Sequence, residues 1–464
     1  MKSGLTFLWA ALLLIACNPP QPASEFETAD DLEVEVNEGL YHPEWIKNAT
    51  IYEANIRQHT PEGTFNALRD DLERISDMGV SILWLMPIHP IGEVNRKGGM
   101  GSYYSVKDYT DVNPEFGTKE DFQALVREAN RLDMNVIIDW VANHTSFDAV
   151  WAEDHKDWYT LDSTGNLMAP EGTDWSDVAD LNYDNQEMRA AMIDAMAYWV
   201  RDFGVDGFRC DVASYVPTDF WEDCVDTLRN INSEIFMLAE AETPELHKKA
   251  FNAAYGWEWL HIINGVAKGE KTLDDIDAYR AASDTTLPNG AFRMYFTTNH
   301  DENSWNGTVM ERFGEKGHLA YAALTFTIDG MPLVYSGQEA GLDKALAFFE
   351  KDEVEWGDYK YQDFYSKLLM LNRNNQALWN GSFGGDFRRM TTGADDKVYA
   401  FERSVDQTGI VSIINLSDEK QEIEFEEMPD GQYRCIFDGV TLDDTFGDGP
   451  SELEPFEYHV FFKQ

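Results

Sequence analysis

Short apolar runs alternate with amphipathic segments from about residue 48 to residue 376. The runs are typical of buried strands, and the segments between them have the spacing of helices. Eight such units over roughly 330 residues predict an α/β fold, a (β/α)8 TIM barrel. The predicted strands begin near residues 49, 81, 135, 205, 234, 258, 292 and 331.

Two regions depart from this alternation. Segment 144–184 is rich in Trp, Asp and Gly without periodicity, and we interpret it as a B domain inserted after the third strand. From residue 379 the helical pattern stops, and alternating stretches such as VYAFERS and IVSIINLS predict an antiparallel β domain. The barrel is therefore expected over 41–378, and a C-terminal β-sandwich over 379–464.

The N-terminus has the pattern of an export signal. Within 1–17 a lysine precedes an apolar run that is too short to span a bilayer comfortably. Its end, LIAC, resembles a bacterial lipobox, which implies that Cys17 carries a lipid; a plain secretory signal with a chance cysteine is the alternative. Residues 18–40 predict an acidic tether. The expected location is the cell envelope, on the periplasmic face or the cell surface, with membrane attachment through the lipid on Cys17.

The charge excludes several classes of partner. The chain has 84 acidic and 36 basic residues, a formal charge of −48. Nucleic acids and anionic membrane surfaces require basic patches, so neither is an expected partner of the folded part. Salt adaptation, solubility or attraction of a cationic substrate stay open as reasons for the acidity. Four cysteines are too few for a disulfide scaffold.

Polar residues cluster where four predicted strands end, in DWVANH, GFRCDVA, LAEAE and TTNHDEN. The carboxyl ends of barrel strands meet at one face, so these side chains should share a pocket. Singly, each acid could be a helix cap or a loop ion pair, and each histidine could be structural. Together, crowded carboxylates with separated pKa values suit glycoside cleavage by an acid and a nucleophile.

In chain order these motifs resemble those of the α-amylase family, glycoside hydrolase family 13. VADLN (178–182) and SYYSVKDYTDVNPEFGT (102–118) resemble two further stretches of that family. The resemblance implies retaining cleavage of mainly α-1,4 bonds in starch, maltodextrin or related α-glucans, through a covalent glycosyl-enzyme. The implied roles are Asp211 as nucleophile, Arg209 as its holder, Glu240 as general acid/base, Asp301 as transition-state stabiliser, His144 and His300 as sugar ligands, and Tyr104 as the ring stacked beneath the sugar.

Some positions leave the assignment open. LAEAE contains a second glutamate, Glu242, but Glu240 follows the apolar run directly and is preferred. Many family members have Lys-His where this chain has Ser214 and Tyr215. Calcium stays open as a cofactor, with Asn143, Asp180 and the carbonyl of Tyr215 as candidate ligands. No organic cofactor is expected.

Two further enzyme activities are compatible with this resemblance. An α-glucan transglycosylase uses the same intermediate with a sugar as acceptor, and a neopullulanase- or cyclomaltodextrinase-like enzyme differs in the glucans it cleaves. A glucan-binding lipoprotein without activity is disfavoured, because all three carboxylates are present.

Overall fold

The computed structural model describes residues 40–288, 290–447 and 449–464. The predicted signal peptide with Cys17, and the tether up to residue 39, lie outside the described residues. Strands of the described residues are numbered in chain order: β1 Ile51–Ala54, β2 Ile82–Leu85, β3 Asn135–Trp140, β4 His144–Ser146, β5 Val178–Asp180, β6 Gly207–Cys210, β7 Phe236–Ala239, β8 Ala253–Tyr255, β9 Phe292–Tyr295, β10 Met331–Tyr335, β11 Asp386–Arg389, β12 Val398–Val405, β13 Thr408–Asn415, β14 Gln421–Ile423, β15 Tyr433–Cys435, β16 Ser451–Leu453 and β17 Tyr458–Lys463.

Eight of these strands close into a parallel barrel in the order β1-β10-β9-β8-β7-β6-β3-β2. The predicted (β/α)8 fold is therefore confirmed. The sixth barrel strand, β8, ends at Tyr255, a few residues before the expected position near 258, because a helix begins at Trp257. Every residue of β1, β2, β6, β7, β8, β9 and β10 is buried, as expected for strands covered on both sides.

The described residues form thirteen α-helices; most cover the barrel and connect its strands, and the last lies in the C-terminal region. They are α1 Ile56–His59, α2 Phe65–Arg69, α3 Leu72–Asp77, α4 Lys119–Arg131, α5 Val150–Asp154, α6 Gln186–Tyr198, α7 Thr218–Ile231, α8 Trp257–Ala267, α9 Leu273–Thr286, α10 Val309–Phe313, α11 Gly317–Thr327, α12 Gln362–Asn374 and α13 Leu442–Phe446. The helix predicted over 65–79 is two short helices, α2 and α3. None of the described helices is long and apolar enough to cross a bilayer.

Helix α4 shows how the sequence sets a boundary. Thr118 accepts a hydrogen bond from the backbone N–H of Asp121, and the Asp121 carboxylate accepts from the backbone N–H of Thr118. This capping box satisfies donors that the first helical turn leaves open. Buried Phe122, Leu125 and Val126 then face the barrel.

The segment between β3 and α6 contains the pair β4 and β5, which are antiparallel. Their register places His144 opposite Asp180. This short pairing joins both ends of the inserted segment at the rim of the barrel.

Beyond α12 the chain forms an antiparallel sheet in the order β11-β12-β13-β17-β15, with a separate two-stranded sheet of β14 and β16. The predicted C-terminal antiparallel sheet is thus present. Both sheets contribute to one apolar core, through residues such as Val411, Phe461, Ile423 and Leu453.

Asn380 connects the C-terminal region to the start of the barrel. Its backbone N–H donates to the carbonyl of Lys47 at 2.7 Å. Its side chain donates to the carbonyls of Ile46 at 2.7 Å and Ala49 at 3.0 Å. The asparagine is fully buried, so these carbonyls have no access to water as an alternative donor.

Cys210, Cys224 and Cys435 are buried free thiols. Burial raises the pKa of each of them. They therefore behave as small apolar side chains.

Candidate active site

A cavity of about 480 Å³ lies at the carboxyl ends of the barrel strands. Its lining contains six of the seven residues that the sequence predicts for catalysis and substrate binding: Tyr104, His144, Asp211, Glu240, His300 and Asp301. The seventh, Arg209, is fully buried beside them.

Arg209 is the cation that contacts the acidic residues at the centre of the site. Its Nη1 lies 2.7 Å from Asp139 and 3.2 Å from Asp211, and its Nη2 lies 2.8 Å from Glu240. Its Nε donates to the hydroxyl of Tyr255 at 3.1 Å. A planar guanidinium suits this task, because its donors diverge in fixed directions.

Burial sets the protonation of the paired acids. Desolvation and the charge of Glu240 raise the pKa of Asp211 well above its ordinary value. Desolvation also raises the pKa of Glu240, although Arg209 opposes it. Two such carboxylates on one guanidinium favour a state in which one is protonated and the other ionised.

A strained turn connects these two acids. Val212 follows Asp211 in the left-handed region, at φ 36° and ψ 48°, which a β-branched residue rarely adopts. Its backbone N–H donates to Oε2 of Glu240 at 2.8 Å. The turn thus fixes the position of one catalytic candidate relative to the other.

His300 connects a fully buried residue of the barrel with residues that line the cavity. Its Nδ1 lies 2.5 Å from Oε1 of Glu53, and its Nε2 lies 2.8 Å from the hydroxyl of Tyr104 and 3.3 Å from Asp301. Burial opposes the charged imidazolium, but Asp301 and Glu53 outweigh it and raise the pKa of His300 to about 9. The Tyr104 hydroxyl also donates to Asp139 at 3.0 Å.

His144 has the opposite electrostatic environment. Burial lowers its pKa to about 3, so the ring is neutral at physiological pH. Its Nδ1 is 3.1 Å from the amide nitrogen of Asn143, and its ring lies 5.3 Å from that of Trp175. The cavity therefore offers one charged and one neutral imidazole.

Two groups of aromatic rings border the cavity. Trp175 stacks on Tyr215, with centroids 6.1 Å apart. In a second group of lining rings, Phe348 lies nearly parallel to Tyr104, with centroids 6.2 Å apart, and Trp305 packs on Phe348 at 5.5 Å. Such rings are suited to the apolar faces of sugars.

A family model described as "Alpha amylase, catalytic domain" matches residues 42–363. The chain belongs to the alpha-amylase family. It is a glycoside hydrolase family 13 enzyme, which agrees with the resemblance of its four motifs.

Known relatives cover several activities of this family. An alpha-amylase of Haloarcula japonica is 27% identical over 81% of this chain, which spans 56% of that relative. A maltosyltransferase of Corynebacterium glutamicum that uses α-1,4-glucan and maltose 1-phosphate is 30% identical over 70% of this chain, which spans 48% of that relative. A Bacillus cyclomaltodextrinase is 24% identical over 80% of this chain.

Solved structures extend the likeness to the whole described fold. The crystal structure of an alpha-amylase from Lactobacillus plantarum is 30% identical, with a TM-score of 0.80 over 90% of this chain and 100% of that chain. A maltogenic alpha-amylase from Thermotoga neapolitana is 28% identical, with a TM-score of 0.77 over 90% of this chain.

The structure distinguishes the two glutamates of LAEAE. Glu240 contacts Arg209 in the alpha-amylase-type cavity, whereas Glu242 accepts the backbone N–H of Glu258 at 3.1 Å. Glu258 is at the start of α8, so Glu242 satisfies a free donor of that helix. Only the first glutamate lines the cavity.

Two of the candidate calcium ligands, Asn143 and Asp180, lie close together but outside the cavity lining. The backbone carbonyl of Asn143 accepts the N–H of Leu181, and Oδ2 of Asp180 accepts the hydroxyl of Thr160 at 2.7 Å. Among the described residues, no group of three or more His, Cys, Asp or Glu side chains is placed to hold a metal. Calcium here would depend on one carboxylate with amide and carbonyl oxygens.

Sequence reasoning did not find Glu53, which is fully buried in β1 and touches His300. The available signal was a single acid inside the apolar run ATIYEANI. A charged residue is rarely buried without a partner, so this glutamate should have suggested one.

Proposed function

We propose that this enzyme hydrolyses α-1,4-glucosidic bonds of starch, maltodextrin or related α-glucans with retention of configuration, as an α-amylase. The observation that supports it is the contact of Asp211 and Glu240 with one guanidinium, that of Arg209. Sharing a guanidinium keeps the two carboxylates close, as a retaining enzyme requires; an inverting enzyme needs room for a water between them.

In the proposed reaction the ionised carboxylate of Asp211 attacks the anomeric carbon, while protonated Glu240 gives its proton to the departing glycosidic oxygen. A water then attacks the glycosyl-enzyme ester, Glu240 takes the water's proton, and Asp211 is released. Arg209 keeps Asp211 in place, and Asp301 stabilises the positive charge of the transition state. Tyr104, His144 and His300 bind the sugar at the cleavage point.

Asp211→Asn tests this assignment. The amide cannot form the ester, so release of reducing sugar from starch should fall by at least about 10³-fold. Asp219→Asn, on the exposed start of α7, is the matched control and should retain activity. Wild-type activity in Asp211→Asn would contradict the proposal.

A second candidate is transfer to a sugar acceptor. It is favoured by the stacked pair Trp175 and Tyr215, which offers a ring surface beside the cavity. Incubation with maltotetraose distinguishes the two: products longer than the substrate indicate transfer, whereas glucose and maltose alone indicate hydrolysis. Cleavage of cyclodextrin or pullulan in preference to starch would instead support the neopullulanase-like alternative.

We also propose that calcium binds and stabilises the inserted segment. Asn143 and Asp180 offer oxygen ligands, which calcium prefers. Burial raises the pKa of Asp180 and so disfavours its charged form until a cation is present. Calcium should raise the melting temperature of the wild type and not that of Asp180→Asn. Equal melting temperatures of the wild type in calcium and in chelator would contradict this role.

The lipoprotein assignment is likewise a proposal, supported by the sequence LIAC at 14–17 and the acidic stretch after it. It places the enzyme in the cell envelope, anchored through Cys17. Labelled palmitate should be incorporated by the full chain in bacteria and not by Cys17→Ser. Equal labelling of both would exclude the anchor.

A further inference from the structure

Three segments form a wall on one side of the cavity. They are the segment 92–101 after β2, called here the first wall loop; the π-helical turn Glu302–Asn306 after β9; and the segment 341–361 after β10, called here the second wall loop.

The two wall loops are joined through their backbones. The N–H of Met100 donates to the carbonyl of Phe349 at 2.9 Å, and the N–H of Gly99 donates to the Glu350 carboxylate at 2.6 Å. Gly98, at φ 62°, lies so close to the second wall loop that a Cβ there would overlap with Cβ of Phe349. The contact is therefore close enough to exclude a chain passing between the loops.

The π-helical turn joins the second wall loop as well. The side chain of Asn303 donates to the carbonyl of Lys344 at 3.0 Å and accepts the N–H of Leu346 at 2.9 Å. Trp305, which is 57% exposed, also lines the cavity, and its ring contacts those of Phe348 and Phe349. All three segments thus form one continuous wall.

The chemistry of the site indicates which end of a bound glucan lies beside this wall. In the proposed function, Glu240 protonates the leaving oxygen, so the departing part of the glucan lies on the side of Glu240 and Val212. The sugar that becomes attached to Asp211 lies over Tyr104, and Phe348 adjoins Tyr104. The wall therefore stands on the side of the attached sugar, which leads to the non-reducing end of the chain.

The side of Glu240 and Val212 carries Tyr215, which lies in the 3-10 turn that follows Val212. Tyr215 is 59% exposed there and stacks on Trp175. The cavity volume of about 480 Å³ is within the range of pockets that hold one small ligand, roughly 300–1,000 Å³. A long glucan can leave the cavity toward Tyr215 but not through the wall.

We propose that the wall makes the cavity blind toward the non-reducing end, so that the enzyme attacks α-glucan chains from that end and releases short malto-oligosaccharides. This inference rests on the proposed function and adds the mode of attack to it. The wall loops determine specificity without taking part in the bond cleavage.

The test compares two p-nitrophenyl maltoheptaosides, one free and one with a 4,6-ethylidene group on its non-reducing terminal glucose. Loss of each substrate is followed by chromatography with the full enzyme. We expect the blocked substrate to be cleaved at least about tenfold more slowly, because the added group has no space beside the wall. Equal rates would overturn the blind cavity while leaving hydrolysis intact; no cleavage of either would overturn the proposed function itself.

A variant that opens the wall provides a second measurement. Phe349→Ala combined with Glu350→Ala removes the ring that contacts Trp305 and Phe348 and the carboxylate that accepts from Gly99. The ratio of blocked to free cleavage should rise by about tenfold. Glu355→Ala, an exposed residue of the same loop, is the control and should leave the ratio unchanged. An unchanged ratio in a folded double variant would count against the wall as its cause.

Discussion

Glu53 shows how one buried acid can influence the protonation state of another residue, His300. It has no exposed surface, and its Oε1 contacts Nδ1 of His300 at 2.5 Å. Its Oε2 has no hydrogen-bond partner within the described part of the chain. Burial raises the pKa of Glu53, and His300 lowers it in part. The attraction between the two groups offsets part of the cost of removing each charge from water.

Glu53→Gln should change the pH profile of hydrolysis. The pKa of His300 is raised to about 9, so its protonated form is favoured at low pH and is lost as pH rises through that value. Without Glu53, Asp301 still favours the imidazolium and Arg209 opposes it. The alkaline limb of kcat/KM should move down by about one pH unit, equivalent to roughly 1.4 kcal/mol.

The control for this change is Glu62→Gln, an exposed glutamate nine positions along the chain. It should leave the profile unaltered. A uniform loss of kcat in Glu53→Gln with no movement of the alkaline limb would show that Glu53 acts only in packing.

At the scale of single residues, the sequence predicted the acids at strand ends because their order follows the barrel. Spacing alone does not distinguish the two glutamates of LAEAE, since alternate residues share a face of a strand. Glu240 was preferred because it follows the apolar run directly. The structure separates them because β7 ends at Ala239, so Glu242 lies in the loop that leads to β8. Glu53 was missed because its partner, His300, is distant in sequence.

Among elements, the regular repeat of strand and helix was predictable and its boundaries were not. The short β8 contains Ala253 and Ala254, which give a weak strand signal, and the apolar helix α8 follows almost at once. The helix expected over 65–79 breaks at residues 70–71, between α2 and α3. Wall contacts such as Met100 with Phe349 are backbone contacts, which side-chain patterns do not encode.

Asn380→Ala tests the connection between the C-terminal region and the start of the barrel. The change removes the side-chain donor of the Ala49 carbonyl and one of the two donors to the Ile46 carbonyl, which also accepts the N–H of Ala49. An unsatisfied buried group costs about 1–3 kcal/mol, so the free energy of unfolding should fall by about that amount. Urea denaturation gives this value, with Asn374→Ala as the control, because that exposed side chain bonds only to the Met370 carbonyl in its own helix. Equal stability of the two variants would contradict the role of Asn380.

The net charge of −48 concerns the whole molecule. Very few of the 84 acidic residues contact Arg209, and an α-glucan is neutral, so substrate attraction does not account for the excess. A dense acidic surface repels itself at low ionic strength, and salt screens that repulsion.

Activity should therefore persist in about 1 M sodium chloride, where the screening length is only about 3 Å. Initial rates on maltotetraose, measured in about 0.1 M and about 1 M salt, would show this. Precipitation or a sharp loss of rate at the higher concentration would indicate that the surface charge serves another purpose.

The buried thiols allow the unfolding of the barrel and of the C-terminal sheet to be followed over time. Cys210 and Cys224 lie in the barrel and Cys435 in the C-terminal sheet. A disulfide reagent reacts with exposed thiolates, so it should modify each cysteine only when its surroundings open. In a Cys17→Ser background, simultaneous modification of all three would show that barrel and sheet unfold cooperatively, whereas earlier reaction of Cys435 would show that the sheet opens first.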